Sequence, residues 1–241
     1  MKRRSWGIRL MVWAGAAAAF LIWRPIHDGL MRYGLTAALG LVWLGLLIVL
    51  WPKKKARLAA LALPLFLALP FLLPGRDLDQ AHLKHDYLSG MRRFTGSTYV
   101  WGGESSRGID CSGLPRRALR DALAQQALTG NGKAARLWLE QWWFDTSARA
   151  MQESYRGFTK AIGVAGRMTD LDLAKIQPGD LAVTGDGRHV MIYLDKGEWI
   201  QADPGPGQVI VATPGRDDNA WFNSYVSLHR WTSLEAPGGS N

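Results

Sequence analysis

Three apolar segments without a charged residue follow one another in the first third of the chain and limit what it can fold into. They cover residues 10–23, 34–51 and 58–74. A membrane-spanning helix needs about 17–25 largely apolar residues. The first segment reaches this length from residue 7 if Arg9 extends its charged end to the membrane surface. We therefore expect residues 1–75 to form a membrane anchor with transmembrane helices near 7–23, 34–51 and 58–74.

The first segment also has an alternative interpretation as a secretory signal peptide. It has a basic start and a short apolar stretch rich in alanine, and such a peptide would be removed. A three-span anchor accounts for all three segments together, so we favour it. Trp6, Trp23 and Trp51 lie at segment ends, where aromatic residues collect at membrane surfaces.

Lysine and arginine positions predict the orientation of this anchor. Basic residues at 2–4 precede the first segment, and four more at 53–57 separate the second from the third. The loop between the first two segments contains only Arg24 and Arg32. Positively charged loops stay in the cytoplasm. We therefore expect a multi-pass protein of the cytoplasmic membrane, with the chain from about residue 76 outside the cytoplasm.

The formal net charge of +9 belongs entirely to the anchor. Residues 1–75 contain ten of the 29 Lys and Arg residues and one of the 20 acidic residues. The remaining chain carries 19 of each and is neutral. A nucleic-acid-binding domain is expected to have a basic surface of its own. We therefore expect no nucleic-acid partner.

Helices followed by strands predict an α+β fold beyond the anchor. Apolar residues at helical spacing predict amphipathic helices over 76–93 and 110–126. From Leu181 onward, the pattern changes to short β segments separated by turns. These segments are LAVTG, HVMIYLD, GEWIQAD, QVIVATP and YVSLHRW. His82 and His85 stand three residues apart on the first helix, but two imidazoles without further ligands do not predict a metal site.

The chain contains one cysteine, Cys111, in the segment RGIDCSGL. If Asp110 caps a following helix, the sulfur lies at its first turn. There, free amide groups and the positive end of the helix dipole lower the pKa of a thiol. The glycines of the preceding segment YVWGGESSRG allow the backbone to run close to a ligand. A structural cysteine usually lies in an apolar stretch, so we interpret Cys111 as a nucleophile.

A thiol nucleophile needs a base, and His189 opens the strand HVMIYL directly after the turn GDGR. Strand periodicity places His189 on the same face as Met191 and Tyr193, with the residues between them on the other face. An imidazole at the start of a strand can face a cleft while the strand packs into the core. We therefore interpret His189 as the general base.

The base in turn needs a polar group that fixes its tautomer. A three-residue hairpin loop over 195–197, with Gly197 in the left-handed conformation, sets the register of the two strands. Met191 then faces Gln201, and Gln201 lies diagonal to His189 on the same face. Diagonal neighbours are about 7–8 Å apart at the backbone, within reach of a long amide side chain. We therefore expect Gln201 to orient His189.

Five segments occur in a characteristic order along residues 87–212: GSTYVWGG, RGIDCSGL, IQPGDLAV, HVMIYL and GEWIQAD. In this combination they resemble the NlpC-type (NlpC/P60) cysteine peptidases of bacterial cell walls, a papain-like family. The resemblance implies a papain-like α+β domain over 76–241, with N-terminal helices and an antiparallel sheet. It assigns the catalytic nucleophile, base and third residue to Cys111, His189 and Gln201. It also implies that the nucleophile is lined, and substrate held, by Tyr99, Asp110 and Ser112.

The same resemblance implies hydrolysis of amide bonds in peptidoglycan stem peptides, with no metal or organic cofactor. The partners are then peptidoglycan or its peptide fragments, and the lipid bilayer through the N-terminal segment. The location is the bacterial cytoplasmic membrane. Two alternatives stay open at this point. One is an amidase or acyltransferase acting on another extracytoplasmic substrate with the same residues, and the other is a wall-binding scaffold without turnover.

Three features depart from the pattern of the family. The third catalytic residue is often His, whereas Gln201 is neutral. Pro115 lies early in the nucleophile helix, where it removes a hydrogen bond to the carbonyl of Cys111. Cys111 and His189 are 78 positions apart, and we assign the extra length to an insertion near 129–168. Its aromatic residues either bury the insertion against the domain or form a wall of the substrate groove at the bilayer surface; they include Trp138, Trp142, Trp143, Phe144, Tyr155 and Phe158.

Overall fold

A computed structural model describes residues 2–144 and 147–235. Three long helices come first, and a domain of helices packed on a six-stranded antiparallel sheet follows, so the α+β prediction is confirmed. The helices are α1 (Lys2–Trp23), α2 (Gly29–Leu50), α3 (Lys54–Leu72), α4 (Gln80–Arg92), α5 (Gly113–Leu128), α6 (Gly132–Trp143) and α7 (Ala148–Gln152). The strands are β1 (Glu104–Ser105), β2 (Gly108–Ile109), β3 (Thr159–Arg167), β4 (Leu181–Thr184), β5 (Val190–Asp195), β6 (Glu198–Asp203), β7 (Gln208–Ala212) and β8 (Tyr225–Trp231).

The first three helices coincide with the predicted apolar segments, and each is long and apolar enough to cross a membrane. α1 and α2 form an antiparallel pair that approaches closely where two glycines meet. A Cβ on Gly45 would lie 2.9 Å from the carbonyl oxygen of Gly7. Small residues at such contacts are typical of helices that associate within a membrane, because they let the backbones touch.

The sheet has the strand order β3-β8-β4-β5-β6-β7, and its two faces bury different apolar clusters. Val190 and Ile192 of β5 pack in the cluster that contains helical residues of α4 and α5. Met191 and Tyr193 belong to the cluster on the other face. The predicted alternation along β5 is therefore confirmed, and it places His189, one residue before the strand, at the edge of this second face.

The hairpin between β5 and β6 has the predicted register but not the predicted turn. Asp195 pairs with Glu198 across a two-residue loop in which Lys196 and Gly197 both have positive φ, 51° and 82°. The three-residue loop over 195–197 is therefore wrong. A register shift between Tyr193 and Asp195 restores the pairing of Ile192 with Ile200, as the longer loop would have done. This one-residue shift in register keeps Gln201 on the same face of the sheet as His189.

The nucleophile helix α5 begins at Gly113, three residues later than the sequence predicted. Its proline explains the difference, because Pro115 has no N–H to donate to the carbonyl of Cys111. With the helix start at Gly113, Pro115 lies in the first turn, where backbone N–H groups have no partner within the helix. Pro115 is therefore a first-turn residue that loses no helical hydrogen bond.

The segment assigned to an insertion, near 129–168, contains α6, α7 and strand β3. The sequence did not predict β3, because its segment TKAIGVAGR lacks the alternation of large apolar residues that marks a half-buried strand. β3 forms one edge of the sheet and pairs only with β8 among the described strands. The end of this segment is therefore part of the sheet itself.

Candidate active site

Cys111 lies in the turn that leads into α5 and is almost fully buried, with 5% of its surface exposed. The turn is held by Asp110, whose Oδ1 accepts a hydrogen bond from the amide of Gly113 at 2.6 Å. The Asp110 carbonyl accepts another from the amide of Leu114 at 3.0 Å. The N-cap position of α5 is Ser112 and not Asp110, so Cys111 precedes the first turn of the helix. Asp110 nevertheless binds the amide of the first helical residue and fixes the backbone on both sides of the thiol.

The environment of Cys111 raises the pKa of its thiol to about 12, and burial is the main cause. Repulsion from the Asp110 carboxylate acts in the same direction, while the amides of Val190 and Ser112 favour the thiolate and lower the pKa. The prediction of a lowered thiol pKa is therefore wrong. Removing the sulfur from water outweighs the amides at the start of the helix, because desolvation penalises the charged form.

The sulfur lies against the backbone that carries the candidate base. Cys111 Sγ donates to the carbonyl of Arg188 at 3.7 Å, one residue before His189. Within the described part of the chain, Cys111 Sγ forms no hydrogen bond with the ring of His189. Apo geometry of this kind is common in active sites whose hydrogen bonds shorten only when substrate binds.

His189 and Gln201 form a buried pair, with 1% and 0% of their surfaces exposed. The Nε2 atom of His189 lies 2.5 Å from the Oε1 atom of Gln201. With the amide oxygen in this position, Nε2 carries the proton and donates it, so Nδ1 presents its lone pair. Burial lowers the pKa of His189 to about 4, although Gln201 and the more distant Asp203 act to raise it.

An indole covers the face of this imidazole. Trp221 stacks on His189 with the ring centroids 4.0 Å apart and the planes 10° from parallel. Its Nε1 donates to Oδ1 of the buried Asp203 at 3.2 Å. Asn219 donates to the other oxygen of Asp203 at 2.6 Å. Asp203 thus holds the indole that excludes water from one side of the base.

The three residues that the resemblance assigned to substrate binding all lie near the nucleophile. Ser112 donates its hydroxyl hydrogen to Asp110 Oδ1 at 3.0 Å. The second carboxylate oxygen of Asp110 accepts from the amide of Gly102 at 2.7 Å, so both oxygens have partners within the chain. Tyr99 is partly buried, and burial together with the neighbouring Cys111 and Asp110 raises the pKa of its phenol. A substrate-binding role for these residues remains a prediction.

A cleft of about 550 Å³ opens over the nucleophile. Its walls are the Cys111 turn, the start of α7 at 147–149 and the turn 186–188 that precedes His189. His27, from the loop between α1 and α2, completes the lining. The cleft is therefore built jointly by the sheet domain, by the segment near 129–168 and by the loop between α1 and α2.

Sequence reasoning missed several residues of this site. Asp203 could have been predicted from the sequence, because it lies two residues after Gln201 and therefore on the same face of β6. Trp221 and His27 could not have been predicted, since nothing in the local sequence pattern connects either residue with His189 or with the cleft.

Comparison with known proteins identifies one family. The protein-family model described as the NlpC/P60 family matches residues 96–230, more than half of the 241 residues. The match includes Cys111, His189 and Gln201. No curated protein matches the chain.

Solved structures with similarity to the chain include three bacterial proteins. The peptidoglycan hydrolase RipB from Mycobacterium tuberculosis is 21% identical, with a TM-score of 0.39 over 63% of this chain and 66% of that one. The P60 domain of antigen MAP1204 from M. avium subspecies paratuberculosis is 19% identical, with a TM-score of 0.42 over 66% and 100%. An NlpC/P60 family protein from Bacillus cereus is 19% identical, with a TM-score of 0.39 over 61% and 40%. The chain spans less than two thirds of the first and third of these proteins.

Proposed function

The chain belongs to the NlpC/P60 family, whose members are cysteine peptidases and hydrolases, and on this premise we propose that it is a membrane-anchored cysteine endopeptidase that hydrolyses amide bonds in peptidoglycan stem peptides. One observation carries the proposal. Cys111 lines a cleft, and its sulfur lies against the backbone next to His189. The ring of His189 forms a hydrogen bond with Gln201. The nucleophile, the base and the group that orients the base therefore occur together.

The tautomer set by Gln201 determines the direction of proton transfer. Because Nε2 of His189 donates to Gln201, Nδ1 is the atom that takes the proton from Cys111 Sγ as the sulfur attacks the scissile carbonyl. The imidazolium then protonates the leaving amine, and a thioester forms. Neutral His189 next takes a proton from water, which attacks the thioester and releases the acid and the free thiol.

The pKa values of the two groups favour a neutral resting pair rather than a thiolate and an imidazolium. The pKa of Cys111 is raised and that of His189 is lowered, in both cases mainly by burial. The proton therefore moves during attack instead of before it. The amides of Val190 and Ser112 favour negative charge on the sulfur, so they stabilise the thiolate as its proton leaves.

The charge pattern supports an extracytoplasmic location of the domain, and a contact in the structure supports the three-span topology on which that location depends. Lysine and arginine positions assign the loop between α1 and α2, and the chain after α3, to the same side of the membrane. In the structure this loop contacts the domain directly, since the amide of His27 donates to the carbonyl of Gly102 at 2.7 Å. Two segments in contact must share one side, so the contact agrees with the proposed three-span topology.

A second candidate is an amidase or acyltransferase acting on a membrane-bound substrate with the same residues. The presence of His27 in the wall of the cleft favours it, because the site then opens beside the anchor. The bond that is broken and the products distinguish the two candidates. A wall-binding scaffold without turnover is the outcome in which neither reaction occurs.

Mass analysis of purified wall fragments incubated with the full-length protein in detergent tests the proposal. We expect the wild type to release shortened stem peptides, and C111A and H189A to release none. The matched control is H85A, because His85 is an exposed histidine on α4, away from the cleft. Equal cleavage by the wild type and C111A would overturn the assignment, and absence of cleavage by the wild type would favour another substrate or a scaffold.

A further inference from the structure

The loop between α1 and α2, residues 24–28, docks on the domain through an isolated β-bridge, and we call it the anchor loop. Ile26 forms an antiparallel bridge with Gly103. The amide of His27 donates to the carbonyl of Gly102 at 2.7 Å, and the amide of Glu104 donates to the carbonyl of Pro25 at 2.9 Å. Backbone pairing of this kind fixes both partners in one register.

Glycines of the segment YVWGGESSRG permit this approach. A Cβ on Gly102 would lie 3.2 Å from the side chain of Ile26, and one on Gly108 would lie 3.2 Å from Cβ of Pro25. Both distances are tighter than ordinary contacts between carbon atoms. The sequence suggested that these glycines approach a ligand, whereas in the structure Gly102 approaches the anchor loop, and Gly108 lies closest to Val100 with Pro25 as its next neighbour.

A buried charge cluster fastens the same contact. The carboxylate of Glu104 is paired with Arg120 at 2.7 Å and with Arg116 at 3.0 Å. Nδ1 of His27 lies 3.6 Å from this carboxylate. Nε2 of His27 lies 2.8 Å from the carbonyl oxygen of Trp142 in α6 and donates to it. His27 therefore joins β1 to α6, and its side chain is only 6% exposed.

The ends of α1 and α2 that flank the anchor loop also form hydrogen bonds with the domain. Arg107 donates to the carbonyls of Trp23 and Ile22 at 2.7 and 2.6 Å, which lie at the C-terminal end of α1. Arg32 of α2 donates to the carbonyl of Trp143 at 2.9 Å. A tether needs only the connection from α3 to α4, so these contacts exceed what attachment to a membrane requires.

Two further hydrogen bonds connect the anchor loop with the nucleophile. The amide of Gly102 donates to Asp110 Oδ2 at 2.7 Å, and the amide of Asp110 donates to the carbonyl of Gly103 at 3.0 Å. Asp110 in turn caps the turn that carries Cys111. The backbone segment 102–104 is thus bonded to the anchor loop on one side and to the nucleophile turn on the other.

We propose that the anchor loop is a positioning element of the active site, and that the turnover proposed above depends on its docking against Gly102–Glu104. His27 is its central residue, because it connects the loop with Glu104 and α6 and also faces the cleft. The anchor and the catalytic domain then form one functional unit. The inference rests on the proposed function for its turnover readout only, since the state of the Cys111 turn can be measured without a substrate.

Paired insertions in the full-length protein in detergent test the inference. A Gly-Ser-Gly insertion between Ile26 and His27 separates the anchor loop from the segment 102–104. The matched control places the same insertion between Pro52 and Lys53, in the other loop of the anchor, which has no described contact with the domain. Readouts are hydrogen–deuterium exchange of residues 99–113, the alkylation rate of Cys111 by iodoacetamide, and cleavage of wall fragments.

We expect the first insertion to increase exchange over 99–113, to change the alkylation rate and to lower kcat by about tenfold to a hundredfold, because small displacements of reacting groups are costly. The control insertion should match the wild type in exchange, alkylation rate and cleavage. Unchanged exchange and alkylation in the first insertion would overturn the inference. If wild-type protein cleaves nothing while exchange and alkylation change as expected, the proposed function fails and the docking role stands.

His27 variants separate positioning from a purely structural role. H27A removes the hydrogen bond to Trp142, whereas H27Q retains an N–H donor in a side chain of similar reach. We expect H27A to lower kcat with KM within about twofold of the wild type, and H27Q to restore most of the loss, as for a group that positions the nucleophile. Equal loss in both variants, together with a lowered Tm, would assign His27 to folding alone.

Discussion

The indole of Trp221 lies flat on the imidazole of His189, 4.0 Å between ring centroids, while Asp203 holds the indole N–H from behind. Gln201 binds the edge of the same imidazole. The ring of His189 is thus fixed in rotation by Gln201 and shielded from water by Trp221. Burial of a base in this manner lowers its pKa, because the charged imidazolium loses more hydration than the neutral ring.

Replacing Trp221 tests the shielding role. In W221A, water reaches the imidazole and the pKa of His189 rises from about 4 toward its ordinary value near 6.5. The acid limb of the kcat/KM profile therefore moves to higher pH. W221F keeps an aromatic ring over His189 but loses the hydrogen bond to Asp203, so its acid limb should stay close to that of the wild type. An unchanged acid limb in W221A would contradict the shielding role.

Replacing Gln201 tests the orienting role. Q201L removes the acceptor for Nε2, which releases the ring, and we expect kcat to fall by about a hundredfold. Q201E keeps an acceptor and adds a negative charge, which raises the pKa of His189 by about one to three units. The pH profile of kcat/KM measures both effects. The control for charge is Q201N, a neutral acceptor of shorter reach, whose acid limb should not move to higher pH because it adds no negative charge.

Alkylation of the single cysteine tests the raised thiol pKa. Because burial raises the pKa of Cys111 to about 12, the thiolate fraction is small at pH 7 and grows only in alkaline solution. We expect the iodoacetamide rate to be slow at pH 7 and to increase steadily up to pH 10. C111S should show no labelling, since the chain has no other cysteine. A fast rate that is independent of pH between 6 and 9 would indicate a resting thiolate.

Acid stability tests the burial of His189. The pKa of His189 is about 4 in the folded protein and near 6.5 when unfolded, so the unfolded chain binds more protons between these values. The stabilisation is fully present above about pH 6.5 and is lost as the pH falls toward 4, by about 3 kcal/mol in total. Tm values of the full-length protein from pH 7 to 4 measure the loss.

The matched variant for this measurement is H189Q, which cannot take up a proton. Because other groups also change their protonation in acid, the difference between the two Tm curves isolates the contribution of His189. We expect the wild type to lose more stability than H189Q over this range. Parallel curves would show that His189 is not protonated on unfolding, contrary to its burial.

Local patterns in the sequence determined a large part of the molecule. Each of the three apolar segments reaches the length that a membrane span requires, the first when it is counted from residue 7, and that property does not depend on the rest of the fold. The alternation of residues 189–194 fixed which side chains share a face, because side chains of a strand point to opposite faces in turn. Gln201 reached His189 as predicted, even though the turn between them has a different length.

Tertiary structure alone decided the electrostatics and the long-range partners of the site. The position of Cys111 before a helix suggested a lowered pKa, but the pKa depends on how deeply folding buries the sulfur, which no local pattern encodes. His27 and Glu104, and likewise His189 and Trp221, are far apart along the chain and meet only when separate elements pack. Periodicity reports which face of an element is apolar, whereas the identity of the neighbour on that face follows from the packing of the whole chain.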